Sequence, residues 1–284
     1  MNYFRFRDFG EQCLESLAQQ FAAAEPFPHI VIPDFISLPP DEVLPALPPP
    51  DHSSWRRHTD AYEAGKMSFN DIEHMAEPLP SMLRELSSPA FLQFLQRLTG
   101  ITDLLTDPYL SGAGLHASGP GGLCSPHTDN HINERLHIFR RVNLLVYLNP
   151  GWEEEFGGCL ELYALKPRLR LARTIVPRWG TCVIFQSDGS SVHGFSQAIA
   201  VERPRLSLAV YYYTSLDATR FSGAPLTLWR HHDKYWGLTG TGLIVRLGRM
   251  YLYRSLRFGS KALAYLAHQV RPRPVHGNGH DAHR

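Results

Sequence analysis

The 284 residues contain no run of about 18 consecutive apolar residues, so no membrane-spanning helix is expected. The opening Met1-Asn-Tyr-Phe-Arg-Phe-Arg-Asp8 lacks a basic end followed by a continuous apolar core, which argues against a secretory leader. Cysteine is scarce. Cys13, Cys124, Cys159 and Cys182 are scattered without a Cys-x-x-Cys pair. They read as free thiols of a reducing cytoplasm, not as a disulfide frame or a zinc site. No internal repeat is visible, which leaves out solenoids and propellers. Nor is there an excess of one charge: the net of +1 gives no expectation of nucleic-acid binding.

What is present is an ordinary globular composition, 43% hydrophobic and 19% charged, in a chain long enough for one large domain. The charge is unevenly spread. Residues 230–284 carry ten Lys/Arg against two Asp/Glu, a net of +8, which leaves −7 for the rest. Residues 10–24 are rich in helix formers, with Cys13, Leu14, Leu17 and Phe21 at helical spacing. Pro26 and Pro28 end that helix, and His29-Ile-Val-Ile-Pro33 reads as a short strand. Six prolines between Pro39 and Pro50 predict a loop. Ser88-Pro89 supplies a cap and a first-turn proline for a helix through Leu98, stopped by Gly100.

From Tyr109 onward, short β runs alternate with turns. Residues 111–126, with five glycines and a closing proline, read as a flexible approach to the segment that follows. Strands are expected at Arg141–Leu148, Cys159–Tyr163, Leu171–Val176, Thr181–Phe185 and Leu206–Thr214. Helices gathered before a series of turn-marked strands predict an α+β domain with a jelly-roll barrel.

The chemistry centres on His127-Thr-Asp129-Asn-His131. On an extended strand His127 and Asp129 leave the same face, and two imidazoles with one carboxylate form the facial triad of non-haem iron sites. The third ligand must come from another strand. His193, just after a strand and before a glycine that lets backbone pass close, is the best candidate, while His131 and His137 read as structural. Alternation puts Asn143, Leu145 and Tyr147 on a barrel-facing side, opposite Val142, Leu144, Val146 and Leu148. It also groups Arg205, Ser207, Ala209, Tyr211 and Tyr213. A guanidinium with a hydroxyl two residues on suits a carboxylate, although a strand-start Arg also reads as an ordinary surface residue.

The ordered set His127-x-Asp129, His193, Arg205-x-Ser207 resembles the Fe(II)/2-oxoglutarate-dependent dioxygenases, most of all their prolyl-hydroxylase-like branch. Arg141-Val-Asn-Leu-Leu-Val-Tyr-Leu-Asn-Pro-Gly-Trp152, Gly157-Gly-Cys-Leu-Glu-Leu-Tyr163 and Arg203-Pro-Arg-Leu-Ser-Leu-Ala-Val-Tyr211 extend the likeness over about residues 27–215. The resemblance implies a double-stranded β-helix core with flanking N-terminal helices. It implies Fe(II) on His127, Asp129 and His193, and 2-oxoglutarate with its far carboxylate on Arg205, assisted by Ser207. Tyr147, Leu160 and Asn143 complete the expected cosubstrate pocket, with Arg203 the competing carboxylate partner and ascorbate a further candidate cofactor. Asp129 favours hydroxylation over halogenation, because halogenating relatives lack this carboxylate.

The expected organisation is a dioxygenase domain over 1–229 with its motif-bearing core at about 105–215. A basic helical extension over 230–271 and a disordered tail over 272–284 follow. The extension reads as a helical cap, with peripheral membrane contact as an alternative. The expected activity is hydroxylation of an unactivated C–H bond in the cytoplasm, with O2 consumed, succinate and CO2 as co-products, and a prolyl residue as first substrate. The rivals are a hydroxylase of a small biosynthetic molecule (an amino acid or glycan precursor) and a non-catalytic jelly-roll binding module.

Overall fold

The computed structural model describes residues 2–58, 62–215 and 227–229. The basic extension and the tail lie outside the described residues. Helix α1 spans Glu11–Ala23 and turns Leu14 and Phe21 inward, while Cys13 stays exposed. Strand β1 follows at His29–Ile32. The proline-rich segment is not a plain loop: Pro40–Val43 makes one α-helical turn and Leu44–Ala46 a 3-10 turn. Proline is tolerated there because the first helical N–H groups have no partner within the helix.

Helix α2 (Leu79–Leu86) and helix α3 (Pro89–Thr99) come next. Helix α3 is built from local chemistry. Ser88 Oγ accepts from Phe91 N at 3.2 Å, Pro89 opens the first turn, and Gly100 closes it at φ 70°. Among the described residues no helix is long and apolar enough to cross a membrane.

The strands are β2 (Glu63–Phe69), β3 (Gly114–Thr128), β4 (Ile138–Tyr147), β5 (Leu160–Ala164) and β6 (Arg170–Ile175). After them come β7 (Cys182–Gln186), β8 (Val192–Phe195) and β9 (Arg205–Ser215). They form one curled antiparallel sheet in the order β1-β7-β4-β9-β3-β8-β5-β6, with β2 on the other edge of β3. His29 Nε2, on one end strand, lies 2.6 Å from Arg173 Nη1 on the other. This is the half-barrel of a jelly-roll core.

Two departures from the sequence reading matter for the site. Residues 111–126 are not a flexible approach, because most of them form the 15-residue strand β3. Its glycines allow close backbone crossing: a Cβ on Gly122 would meet Gly119 O at 2.7 Å. His193 does not follow a strand; it sits within β8.

Alternation sorts the sheet into two faces. Val142, Leu144, Val146, Leu208, Val210 and Tyr212 join the large outer core with Phe91, Leu95 and Leu83 from the helices. Each fully buried aliphatic side chain there contributes roughly 1.5–3 kcal/mol. Tyr212 Oη donates to Leu86 O at 2.9 Å, which pins β9 to α2. The inner face carries Tyr147, Leu160, Leu162, Val183 and Phe185 as a second apolar cluster.

Candidate metal and cosubstrate site

His127 near the end of β3 and His193 on β8 are cross-strand partners, with ring centroids 4.6 Å apart. Gly194 makes that approach possible, since a Cβ there would meet Cys124 O at 2.7 Å and Ser125 O at 3.0 Å. Asp129, one residue past the strand, lays its carboxylate between the rings. Oδ1 is 3.3 Å from His127 Nε2, and Oδ2 is 3.8 Å from His193 Nε2. One ligand atom from each residue lies within 4.8 Å of the others, so the three could hold a metal ion.

The surroundings fit such an ion. His127 Nδ1 lies 2.8 Å from Ser125 O, and His193 Nδ1 lies 3.0 Å from Ser191 O. A carbonyl only accepts, so each Nδ1 carries a proton and Nε2 is the nitrogen that would face a metal. Without a metal, burial works against charge on His127, but Cys124 and Asp129 hold its imidazole well above the usual range. Burial pushes the His193 imidazole down to about 4, against the opposing pull of Asp129, which leaves it a neutral ligand. Burial also disfavours charge on Asp129, yet Arg140, then His193 and His127, hold its carboxyl well below the usual range. Two imidazoles and one carboxylate, all buried or nearly so, are the donor set for Fe(II) with open positions.

Two side chains orient Asp129. Asn143 Nδ2 donates to Oδ2 at 2.5 Å, and Arg140 Nη1 lies 2.9 Å from the same oxygen. The Arg140 guanidinium also stacks 3.7 Å over the Tyr211 ring. Strict alternation from Arg141 hides Arg140. The register gives Tyr212 opposite Val142 but Tyr213 opposite Arg140, so β4 holds one extra residue, a bulge that turns Arg140 to the face of Asn143.

The cavity beside these ligands, about 80 Å³, is lined by Arg205, Ser207, Leu160, Asn143, Lys66 and Tyr211 among others. Arg205 is buried and fixed: Nε donates to Gly158 O at 2.6 Å and Nη2 to Tyr147 Oη at 3.1 Å. Ser207 stands opposite Tyr147 in register. Arg203 points elsewhere, donating to Pro150 O and Gly151 O from an exposed position over Trp152. His131 is buried outside the triad, with its carbonyl accepting from Arg140 N. His137 sits in the turn before β4 at φ 53°. Sequence reasoning missed Lys66, Glu63, His116 and Arg140.

The curled jelly-roll sheet thus carries on its inner face a His-Asp-His cluster that could hold a metal ion, beside a buried arginine. The 2OG-Fe(II) oxygenase superfamily model matches residues 113–213. That segment is therefore similar to the catalytic core of this superfamily. Over 198 residues the chain is 29% identical to prolyl 3-hydroxylase OGFOD1 of Mus musculus, covering 66% of this chain and 33% of that protein. The OGFOD1 of Xenopus laevis is 25% identical over 215 residues, 72% of this chain and 37% of that one. The chain thus spans about a third of the length of these curated relatives. Its fold is shared with a prolyl 4-hydroxylase of Phytophthora capsici at a TM-score of 0.51 and 19% identity, covering 86% of this chain and 76% of that one.

Proposed function

We propose that this chain is a Fe(II)- and 2-oxoglutarate-dependent dioxygenase that hydroxylates an unactivated C–H bond of a prolyl residue. The observation that carries the reading is the register of His127 opposite His193, with Asp129 between them and the fixed Arg205 guanidinium on the same cavity. In the proposed assignment His127, Asp129 and His193 hold iron. Arg205, Ser207 and Tyr147 take the far carboxylate of 2-oxoglutarate, and Leu160 lines its path. Asn143 serves the site by orienting Asp129. Bound there, the iron supplies the oxidative chemistry that couples decarboxylation of 2-oxoglutarate, to succinate and CO2, with transfer of one oxygen atom of O2 to the substrate.

The chain's own contribution is placement and exclusion. Buried Phe185 and Phe195 and the half-buried Leu145 keep bulk water from the ligands. Arg205 is held at both Nε and Nη2, so its free N–H groups are already aimed when the dicarboxylate arrives. Arg140 and Asn143 fix the Asp129 carboxylate against rotation. Ascorbate fits as an accessory reductant for such an iron. The reading places the protein in the cytoplasm, consistent with four unpaired cysteines. It keeps the domain over 1–229, where Leu228–Trp229 pairs with Thr128 and His127.

The substrate is tested by substrate-stimulated succinate release across a library of prolyl peptides and small metabolites. Stimulation by prolyl peptides with a mass gain of one oxygen is the expected result. Stimulation by an amino acid or glycan precursor alone would move the substrate to small molecules.

A further inference from the structure

Strand β2 brings two charged side chains to the cavity that regular alternation separates. Glu63 and Lys66 are three residues apart, which on an even strand sends them to opposite faces. Gly65, at φ 67°, turns the backbone between them. A Cβ added there would lie 3.3 Å from Gly122 Cα, so the turn is packed against β3. The two side chains meet at 2.6 Å, with only 23% of Lys66 and 12% of Glu63 exposed.

The pair stands on the ligand side of the cavity. Glu63 Oε1 is also 3.6 Å from Cys124 Sγ, which in turn is 3.7 Å from His127 Nδ1. Lys66 lines the cavity with His116, Ser118 and Tyr211. In register Lys66 faces Ser118, and the other neighbour of Ser118 is Arg205. A row across three strands therefore carries a cation at each end. Burial works against the Lys66 charge, but Glu63, Cys124 and Tyr211 together offset it and raise the pKa. An ammonium has three N–H donors, and Glu63 engages one.

2-Oxoglutarate carries a carboxylate at each end, and one guanidinium accounts for one of them. The end bearing the keto group would settle beside the Asp129 carboxylate, which already engages Arg140 and Asn143. A divalent metal on the three ligands would balance part of the added charge, and a further cation facing the carboxylate lowers the remaining cost in that low-dielectric space. We propose that Lys66 is a second cosubstrate-binding residue, whose ammonium, held by Glu63, donates to the carboxylate next to the keto group. This rests on the dioxygenase reading and adds to it the residue that anchors the metal-side end.

The test is calorimetric titration of the full chain loaded with Mn(II), using 2-oxoglutarate and, separately, 2-oxobutyrate, which keeps the keto-acid end but has no second carboxylate. Lys66→Met is expected to weaken both ligands by about tenfold or more, the loss of a charge-assisted hydrogen bond. Arg205→Met is expected to weaken 2-oxoglutarate far more than 2-oxobutyrate. Lys66→Arg should retain most of the affinity, and Lys66→Gln, close in length and polarity, should reproduce the Lys66→Met loss if that variant folds poorly. Wild-type affinity in Lys66→Met or Lys66→Gln, or a loss confined to 2-oxoglutarate, overturns the assignment. Failure of the Mn(II)-loaded wild type to bind 2-oxoglutarate at all would instead overturn the dioxygenase reading beneath it.

Discussion

His127 and His193 face each other in register across β3 and β8, their ring centroids 4.6 Å apart, and Gly194 is what lets the two strands close to that distance. Gly194→Ala should therefore damage the metal site without touching a ligand. The added Cβ would lie 2.7 Å from Cys124 O, a backbone atom with little room to retreat. Metal affinity is expected to fall roughly 10- to 100-fold, the scale of a disturbed supporting contact. Titration with Mn(II) followed by electron paramagnetic resonance measures it, and unchanged affinity would show that the strands tolerate more separation than the geometry implies.

The ligands themselves are separable from the other histidines. His127→Ala and His193→Ala should lose metal binding and succinate production, a loss of at least about 100-fold. His137→Ala, in the turn before β4, should keep both. Loss in His137→Ala together with retention in His193→Ala would reassign the third ligand.

Asp129 also has a structural role before any metal arrives. It is the ion-pair partner of buried Arg140 at 2.9 Å. Asp129→Ala should destabilise the metal-free protein by roughly 2–4 kcal/mol, because it leaves a guanidinium buried beside an empty space. Urea denaturation of the metal-free chain reads this directly. A gain in stability would mean that crowding of the ligand groups outweighs the Arg140 pair.

Acid should weaken the metal-free fold early. His193 and His116 are held neutral, at about 4 and about 3, burial being the main cause for each and Lys66 adding to it at His116. Unfolded, each takes up a proton near pH 6.5, so the unfolded chain binds more protons than the folded one. Their contribution is complete above about pH 6.5 and is lost as pH falls toward 4. His127, held above the usual imidazole range by Cys124 and Asp129 against burial, works in the opposite direction and offsets part of this. The expected net drop between pH 7 and pH 5 is roughly 1–2 kcal/mol, and His116→Gln should make it smaller. Equal urea midpoints at the two pH values would contradict this.

The legible parts of the sequence were those governed by local rules. Ser88, Pro89 and Gly100 mark both ends of α3, and the alternation from Val142 to Leu148 separates the outer core from the cavity. What stayed hidden depends on irregular backbone. Arg140 reaches Asp129 through a one-residue bulge in β4, and Lys66 meets Glu63 through the turn at Gly65. The glycines of β3 read as flexibility, yet they serve a bent strand crossed closely by β2. A period-two pattern cannot show a register shift, since the shift is set by the partner strand.

The most direct test is an anaerobic titration of the chain with Fe(II) and then 2-oxoglutarate, followed by visible absorption. A charge-transfer band that appears only with both present, and is lost in His127→Ala and His193→Ala, is the result expected of iron held by His127, Asp129 and His193 with the keto acid chelated beside it. Iron bound with no such band, or a band unchanged in both variants, would contradict the account.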